Sequence, residues 1–270
     1  MEFNSLNYSG LNTKQYNPNF TACSRDVYDA LGRLYHRNDT SMFRVDLGDW
    51  DKFVDYIGNK FKNTDKVNIY TLASSAGDEV YSLAIKLLEK YGEKGASKYF
   101  PIIASDYDSR IINMAQKGYL PMYEGEAALI NKHSGGKFNE YFEVTEKIPD
   151  FIGKMDIDYD FMTRVKPKLK EKIQFHTADA TEHCRKVQPD NTIILARNFW
   201  PYLKDESVRI KFANDLYKSL GKNSAIVLGQ FDDTAGAFAS KNLYDAGFVC
   251  HPEIYTIFEK NKITDWTYRY

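Results

Sequence analysis

The sequence has 270 residues and a formal net charge of -1 at pH 7, so its overall charge does not favour a nucleic-acid partner, although local basic patches stay possible. Hydrophobic residues make up 43% and aromatic residues 15%. Both values are typical of a globular protein, and the length accommodates one α/β domain with an attached subdomain. No apolar run is long enough to span a membrane, and residues 1–16 lack the apolar centre of a signal peptide.

The cysteines and histidines do not form a metal-ligand pattern. The three cysteines, at positions 23, 184 and 250, are far apart and odd in number. His176 and His183 beside Cys184 are interpreted as scattered structural residues rather than as ligands. We therefore expect reduced thiols, no metal and a cytoplasmic location.

The first sixty residues are predicted to form an N-terminal arm followed by helices. Residues 1 to about 20 are rich in Asn and Ser, which indicates a loosely held arm. A helix is predicted from Ser24 to about Tyr35, and a second helix is predicted after the capping residue Asp49, with Phe53, Tyr56 and Ile57 on one face. We assign residues 1–62 to this arm and helical segment, and residues 63–270 to the main domain.

The most informative motif is a strand, a turn of small residues and a helix between residues 67 and 89. Residues 67–73 are an apolar run with the length of a buried strand, and apolar residues recur at helical spacing from Val80 to Leu88. The turn between them, Ser-Ser-Ala-Gly at 74–77, lets a ligand approach the backbone where open α/β sheets bind nucleotides. An ordinary βα unit without a ligand accounts for the same pattern.

A second strand–helix unit ends its strand in an acid. Residues 100–106 predict the strand, and a helix is predicted from Asp108 to a stop at Gly118. Because Asp108 is better placed to cap that helix, Asp106 is available for a ligand, where a carboxylate accepts hydrogen bonds from both ribose hydroxyls. The glycines do not match G-x-G-x-x-G, so a dinucleotide is not favoured.

The alternation of strands and helices is interrupted after Tyr119 and then resumes. About fifty residues rich in charge and aromatics predict a small inserted subdomain of β type at residues 120–172, with short strands around Phe138, Tyr141, Phe142 and Val144 and at residues 159–165. Further strands are predicted at 173–179, 192–198 and 224–231, a helix at 205–220 stopped by Gly221, and one closing strand within 247–259. This order predicts an α/β fold with helices on both faces of a doubly wound sheet.

Six segments in this order resemble the chemotaxis receptor glutamate O-methyltransferases (CheR-type), which use S-adenosylmethionine. The resemblance runs from about Asn38 to the C-terminus and rests on N-x-T-x-x-F-R at 38–44, A-S-S-A-G-D-E-V-Y-S-L-A at 73–84, A-S-D-Y-D at 104–108 with A-x-x-G-Y at 115–119, V-K-P-K-L-K at 165–170, F-x-x-x-D at 175–179 and A-R-N-F-W-P-Y at 196–202. It implies a Rossmann-like class I methyltransferase sheet, S-adenosylmethionine as cofactor and S-adenosylhomocysteine as product.

The resemblance also implies roles for individual residues. Arg44 and Tyr202 would be catalytic, with Arg44 also in contact with the cofactor. Glu79 would hold the cofactor's amino group, Asp106 its ribose, and Asp179 and Ala180 would lie beside its adenine. The full cofactor-binding set would be Asn38, Thr40, Arg44, Ala73, Ser75, Gly77, Glu79, Asp106, Asp179, Ala180, Arg197 and Asn198.

Plainer explanations stay open for the two catalytic candidates, and the sequence departs from the family pattern in places. Arg44 is also explained by a surface ion pair with Asp46 or Asp49, and Tyr202 by a packed aromatic after Pro201.

The region before residue 38 is shorter than the family's N-terminal helical domain, and its basic residues are mixed with acids. Asp-Ala at 179–180 replaces Asn-Leu, and Gly-Gln-Phe-Asp at 229–232 replaces Gly-His-Ser-Glu.

Three functions follow from these patterns. The first is methyl transfer to a glutamate of a protein partner, such as the cytoplasmic domain of a chemoreceptor. The second is the same chemistry on another protein or on a small-molecule carboxylate. The third is an inactive S-adenosylmethionine-binding sensor or adaptor.

Overall fold

The structure is a computed structural model that describes residues 41–146, 160–234 and 236–260. The predicted N-terminal arm and the predicted helix at residues 24–35 lie outside the described residues. The strands are β1 (Asn68–Leu72), β2 (Ile102–Asp106), β3 (Tyr119–Met122), β4 (Phe142–Thr145), β5 (Phe161–Val165), β6 (Ile173–Thr177), β7 (Thr192–Leu195), β8 (Ser224–Val227), β9 (Val249–Cys250) and β10 (Ile257–Glu259). The helices are α1 (Trp50–Lys60), α2 (Asp78–Ala96), α3 (Ser109–Lys117), α4 (Glu124–Ser134), α5 (Phe138–Tyr141), α6 (Pro167–Lys170), α7 (Ala180–His183), α8 (Glu206–Ser219) and α9 (Ala239–Ala246).

Seven strands form a central, mostly parallel sheet in the order β6-β2-β1-β7-β8-β10-β9. The first five are parallel to one another, and β10 is antiparallel to both of its neighbours. The strand order reverses between β1 and β7, so the sheet is doubly wound as predicted. The predicted strands at 67–73, 100–106, 173–179, 192–198 and 224–231 are confirmed, each with a shorter span.

Apolar side chains from successive strand positions enter cores on opposite faces of the sheet. Ile69 packs in one core with α1 and α2, whereas Tyr70 and Leu72 pack in the other with α8 and α9. This alternation follows from the two-residue period of a strand. Helices therefore cover both faces, which confirms the predicted fold class.

The starts of α1 and α3 follow the capping residues that the sequence indicated, and α8 begins one residue inside its predicted range. Asp49 accepts hydrogen bonds from the backbone of the first turn of α1, Asp108 caps α3, and Asp205 caps α8. Gly118 ends α3 with a φ of 79°, in the left-handed region. No helix among the described residues combines the length and apolar character that crossing a membrane requires.

A second sheet, in the order β3-β5-β4, is antiparallel, and α4 follows β3 in the chain. The prediction that Phe138 and Tyr141 lie in a strand is wrong, because α5 occupies this position. The two side chains are buried one helical turn apart, and Asn131 Oδ1 accepts a hydrogen bond from Phe138 N over 3.1 Å. The boundaries proposed for the inserted subdomain stay a prediction.

The predicted single closing strand is also wrong, because β9 and β10 divide it. Pro252 follows β9 and has no N–H to continue a ladder. His251 Nδ1 then accepts hydrogen bonds from Glu253 N and Ile254 N, both over 3.2 Å. This turn brings β10 back against β8 and β9.

Candidate active site

Most of the predicted site residues lie where the parallel strands end at their carboxyl termini. The turn at residues 73–77 follows β1, and Asp106 ends β2. Asp179 comes two residues after β6, and Arg197 two residues after β7. This edge includes the crevice at the reversal of strand order, where open α/β sheets bind ligands. Asn38 and Thr40 lie outside the described residues.

The turn after β1 has an unusual backbone. Ala73, Ser75 and Gly77 have φ values of 56°, 50° and 102°. Position 77 requires glycine for a steric reason as well, because a Cβ atom there would lie 2.8 Å from Phe175 Cζ. Positive φ costs a non-glycine residue roughly 1 kcal/mol or more, and such strain is concentrated at ligand sites.

Asp106 joins this turn to β2 through its carboxylate. Oδ2 accepts a hydrogen bond from Ser75 N over 2.8 Å, and Oδ1 accepts one from Asp108 N over 3.0 Å. Burial raises the pKa of Asp106. The backbone N–H groups of Ser75, Tyr107 and Asp108 lower this pKa, but by less than burial raises it. A carboxylate has about four acceptor positions. Asp106 therefore keeps acceptor capacity for a ligand hydroxyl.

Two arginines and two acids form an ion cluster at this edge, made of Arg44, Asp46, Glu79 and Arg197. The Arg197 side chain is only 1% exposed; its Nη1 contacts Glu79 Oε2, and its Nη2 lies 2.9 Å from Asp46 Oδ1. Arg44 Nε donates to the same Asp46 oxygen over 3.1 Å. Arg44 thus forms the ion pair with Asp46 that the sequence left open. This pair is not an isolated surface pair, because the Asp46 side chain is only 13% exposed and also contacts Arg197.

The two acids of the ion cluster have pKa values shifted in opposite directions. Burial raises the pKa of Glu79, and the Arg197 guanidinium offsets only part of that effect. Burial also raises the pKa of Asp46, but Arg197, Asn198 and Arg44 together outweigh it, so the pKa of Asp46 lies below its ordinary value. Asp46 is therefore the firmly ionised member of the pair.

Asn198 is fixed between Asp46 and a buried acid, Asp232. Asn198 has a φ of 60°; its Nδ2 donates to Asp46 Oδ2 over 2.7 Å, and its backbone N donates to Asp232 Oδ2 over 2.7 Å. Asp232 also accepts from Phe199 N over 2.9 Å and from Trp200 N over 3.0 Å. Burial raises the pKa of Asp232 to about 7, although backbone N–H groups oppose the shift. No role was predicted for Asp232, and its signal in the sequence was the acid of Gly-Gln-Phe-Asp at 229–232.

Two further predicted regions border this edge. Tyr202 ends a short 3-10 turn (Trp200–Tyr202), and its ring centroid lies 6.1 Å from that of Phe231. Asp179 caps α7, which begins with Ala180. The N–H of the residue before Asp179 donates to Asp106 O over 2.9 Å. Asp179 and Ala180 therefore directly follow a residue that is hydrogen-bonded to the backbone of Asp106.

No three His, Cys, Asp or Glu side chains come together as a metal site within residues 41–146, 160–234 and 236–260. His183 Nδ1 lies 2.8 Å from Ser105 Oγ, and burial lowers the pKa of His183. This contact packs α7 against β2. The structural interpretation of His183 stays a prediction.

The comparison with protein families identifies the chain. The family model described as "CheR methyltransferase, SAM binding domain" matches residues 38–242. The chain belongs to the CheR methyltransferase family. It is an S-adenosylmethionine-dependent methyltransferase with a doubly wound, mostly parallel sheet.

The CheR chain is also similar to individual proteins. It is 24% identical over 216 residues to a chemotaxis protein methyltransferase of Borreliella burgdorferi, a match that covers 76% of this chain and 67% of the relative. Among solved structures, magnesium protoporphyrin IX methyltransferase from Synechocystis PCC 6803 with bound SAM is 14% identical, with 91% and 97% of the two chains covered and a TM-score of 0.39. The plantazolicin methyltransferase BamL, solved with SAH, is 13% identical, with 82% and 62% covered and a TM-score of 0.38.

The side chains at the sheet edge fit the cofactor of the CheR methyltransferases. Ser74 Oγ and Arg197 Nε are buried there without a hydrogen-bond partner among the described residues, whereas buried polar atoms normally have one. Asp106 lies at the end of β2, and Glu79 lies at the start of α2. A nucleoside with a charged tail would need hydrogen-bond acceptors at these two positions. When bound, S-adenosylmethionine supplies an electrophilic methyl group on a positively charged sulfur.

Replacing Gly229 of this CheR methyltransferase with alanine is expected to weaken S-adenosylhomocysteine binding about tenfold, or about 1.4 kcal/mol. A Cβ atom at Gly229 would lie 2.0 Å from Asn198 Oδ1, so the Asn198 amide would have to move away from Asp46. Calorimetric titration measures the change. Gly125→Ala is the control, because a Cβ atom there meets nothing within 4 Å. Equal affinities for both variants would remove Asn198 from the cofactor site.

Proposed function

We propose that this chain transfers the methyl group of S-adenosylmethionine to a glutamate side chain of a protein, forming a methyl ester, and that the acceptor is the cytoplasmic domain of a chemoreceptor. The observation that carries the proposal is the ion cluster of Arg44, Asp46, Glu79 and Arg197 at the sheet edge of a CheR methyltransferase. The name of the Borreliella burgdorferi relative supports the chemotaxis part of the proposal.

Such a reaction needs alignment more than proton transfer. A glutamate has an ordinary pKa of about 4.3, so its carboxylate is already ionised at neutral pH and needs no general base. The residues must then hold one carboxylate oxygen in line with the methyl group and its sulfur. Correct positioning of two reactants supplies about 7 kcal/mol or more in ideal cases.

Arg44 is the proposed holder of the acceptor carboxylate. A guanidinium has five N–H donors in one plane, a geometry that matches the two oxygens of a carboxylate. Asp46 accepts from Arg44 Nε, and Trp50 Nε1 donates to Arg44 O over 3.2 Å. These contacts orient the Arg44 side chain and backbone, and Tyr202 is the proposed assisting hydroxyl.

The remaining residues are proposed to hold the cofactor. Glu79 would accept hydrogen bonds from its amino group, and Asp106 from its ribose. Arg197 would keep Glu79 and Asp46 apart and in place, since its two terminal nitrogens contact one acid each. Ala73, Ser75 and Gly77 would bring the backbone close to the cofactor.

The surroundings of the ion cluster favour an acceptor carried on a protein. A cavity of about 510 Å³ extends from Asp46, and its lining includes Asp49, Asp233 and Glu253 against one cation, Lys52. An excess of acidic groups repels a free di- or tricarboxylate. A glutamate on a protein surface brings neighbouring groups that balance this charge.

Labelling tests the proposal. The enzyme is incubated with S-adenosylmethionine labelled in the methyl group, together with lysate of the host cells or with a purified chemoreceptor cytoplasmic domain. We expect a labelled protein that releases methanol in mild base, and mass spectrometry should place one methyl group on a glutamate. Label on a small carboxylate would support the alternative acceptor, and tight S-adenosylhomocysteine binding with no transfer to any acceptor would support the inactive sensor.

A further inference from the structure

The backbone just before Arg44 is bound by an acid from the inserted region. Residues 41–44 are called the Arg44 segment below. In this segment Met42 N donates to Glu126 Oε1 over 2.6 Å. The second oxygen, Glu126 Oε2, accepts from Tyr123 N over 2.6 Å, which caps α4. Glu126 is 4% exposed, so both bonds are shielded from water.

The next residue of the Arg44 segment is held from two helices. Phe43 N donates to Ser82 Oγ of α2 over 2.8 Å. The Phe43 ring stacks on His133 of α4, with ring centroids 4.2 Å apart. Phe43 has a φ of 54°, a conformation that a bulky residue keeps only when its surroundings impose it. Ser82, His133 and Trp50 contact Phe43, and Glu126 binds the residue before it.

Helix α4 also borders the space beside Arg44. A cavity of about 240 Å³ is lined by residues 41–46 and by Leu129 of α4. The helix therefore provides a hydrogen bond to the Arg44 segment, a ring contact to it and one wall of the adjacent cavity. A displacement of α4 would be transmitted to Arg44 through Met42 and Phe43.

We propose that Glu126 is a positioning residue for methyl transfer, because it fixes the Arg44 segment and thereby couples the inserted region to the ion cluster. This inference rests on the proposed role of Arg44. The inserted region then has an internal task in the enzyme, whether or not it also contacts an acceptor.

The chemistry of Glu126 provides a conservative variant. Burial, with Asp78 nearby, raises the pKa of Glu126 above its ordinary value. Burial therefore disfavours the charged form of this side chain. Glu126→Gln keeps one acceptor oxygen for Met42 N, whereas Glu126→Ala removes both acceptors.

Hydrogen exchange and kinetics test the inference together. In Glu126→Ala we expect amide exchange at Met42 and Phe43 to quicken by about tenfold or more. We also expect kcat to fall about tenfold or more, with the KM for S-adenosylmethionine changed less than about threefold. Glu126→Gln should recover part of both losses, because its amide oxygen replaces one of the two acceptors and its NH2 group replaces neither. Ser82→Ala removes the acceptor for Phe43 N and leaves the cap of α4 intact. It should show the same pattern, and it is the second variant in case Glu126→Ala does not fold.

Glu124→Gln is the matched control, because Glu124 is exposed on the same first turn of α4. It should leave exchange and kcat at the wild-type values. Unchanged exchange at residues 42–43 in Glu126→Ala and Ser82→Ala would overturn the positioning role while leaving the proposed function intact. Faster exchange in an enzyme that methylates no acceptor would instead keep the anchoring and remove the proposed function. Equal losses of kcat and cofactor affinity would also overturn the positioning role, because Glu126 would then stabilise the fold as a whole.

Discussion

Replacing Arg44 with alanine is expected to lower kcat by about 100-fold or more, equivalent to about 2.7 kcal/mol of transition-state stabilisation. The Kd for S-adenosylhomocysteine should change less than about threefold. The reason is that Arg44 is proposed to align the acceptor carboxylate, while Glu79 and Arg197 keep their own contact without it. Single-turnover methyl transfer and calorimetric titration measure the two quantities separately.

Two further variants sharpen this prediction. Arg44→Lys keeps the charge but loses the planar pair of donors, so we expect it to recover only a small part of the lost rate. Arg164→Ala removes an exposed arginine of β5 and should behave as wild type. If kcat and cofactor affinity fall by the same factor in Arg44→Ala, Arg44 binds the cofactor and does not position the acceptor.

Replacing Asp106 with alanine is expected to weaken S-adenosylhomocysteine binding at least about tenfold, or about 1.4 kcal/mol. The substitution removes the proposed ribose acceptor and leaves Ser75 N and Asp108 N without their partner. Asp106→Asn keeps one acceptor oxygen and should lose less. Unchanged affinity in Asp106→Ala would end the ribose assignment.

The ribose contact is separable from a general loosening of the turn. Wild type and Asp106→Ala are titrated with S-adenosylhomocysteine and with its 2′,3′-dideoxy analogue. If Asp106 binds the hydroxyls, the analogue binds more weakly than S-adenosylhomocysteine to the wild type but about equally to the variant. Asp205→Ala removes a helix cap outside the site and should bind both ligands as the wild type does.

Features encoded by neighbouring residues were predictable from the sequence. The turn at 73–77 follows from small residues between a strand pattern and a helix pattern. The caps Asp49 and Asp108 follow from an acid placed just before apolar residues at helical spacing. Each of these depends on a few consecutive residues, which a sequence displays directly.

Short aromatic segments were harder, because their spacing suits two structures. Phe138 and Tyr141 are three residues apart, and Phe142 follows at once. A strand was predicted, but the structure has one turn of helix that ends where β4 begins. The start of this helix is bound by a side chain from the preceding helix, because Asn131 Oδ1 accepts a hydrogen bond from Phe138 N.

The ion cluster was beyond sequence patterns for a different reason. Arg197 and Asp46 are far apart in the chain, and nothing in either segment indicates that their side chains meet. The resemblance to the CheR-type enzymes named Arg44, Glu79 and Arg197 individually, but it did not link them through Asp46. Their roles toward cofactor and acceptor stay predictions.

The ion cluster has one consequence for the chemistry of turnover. Its two guanidinium groups contact two acids, of which Asp46 is the firmly ionised one. In the proposed reaction the donor contributes one positive charge and the acceptor one negative charge, and both charges disappear when the ester and the thioether are formed. The proposed reaction therefore leaves the net charge of the site unchanged, and turnover requires no proton exchange between its residues and the solvent.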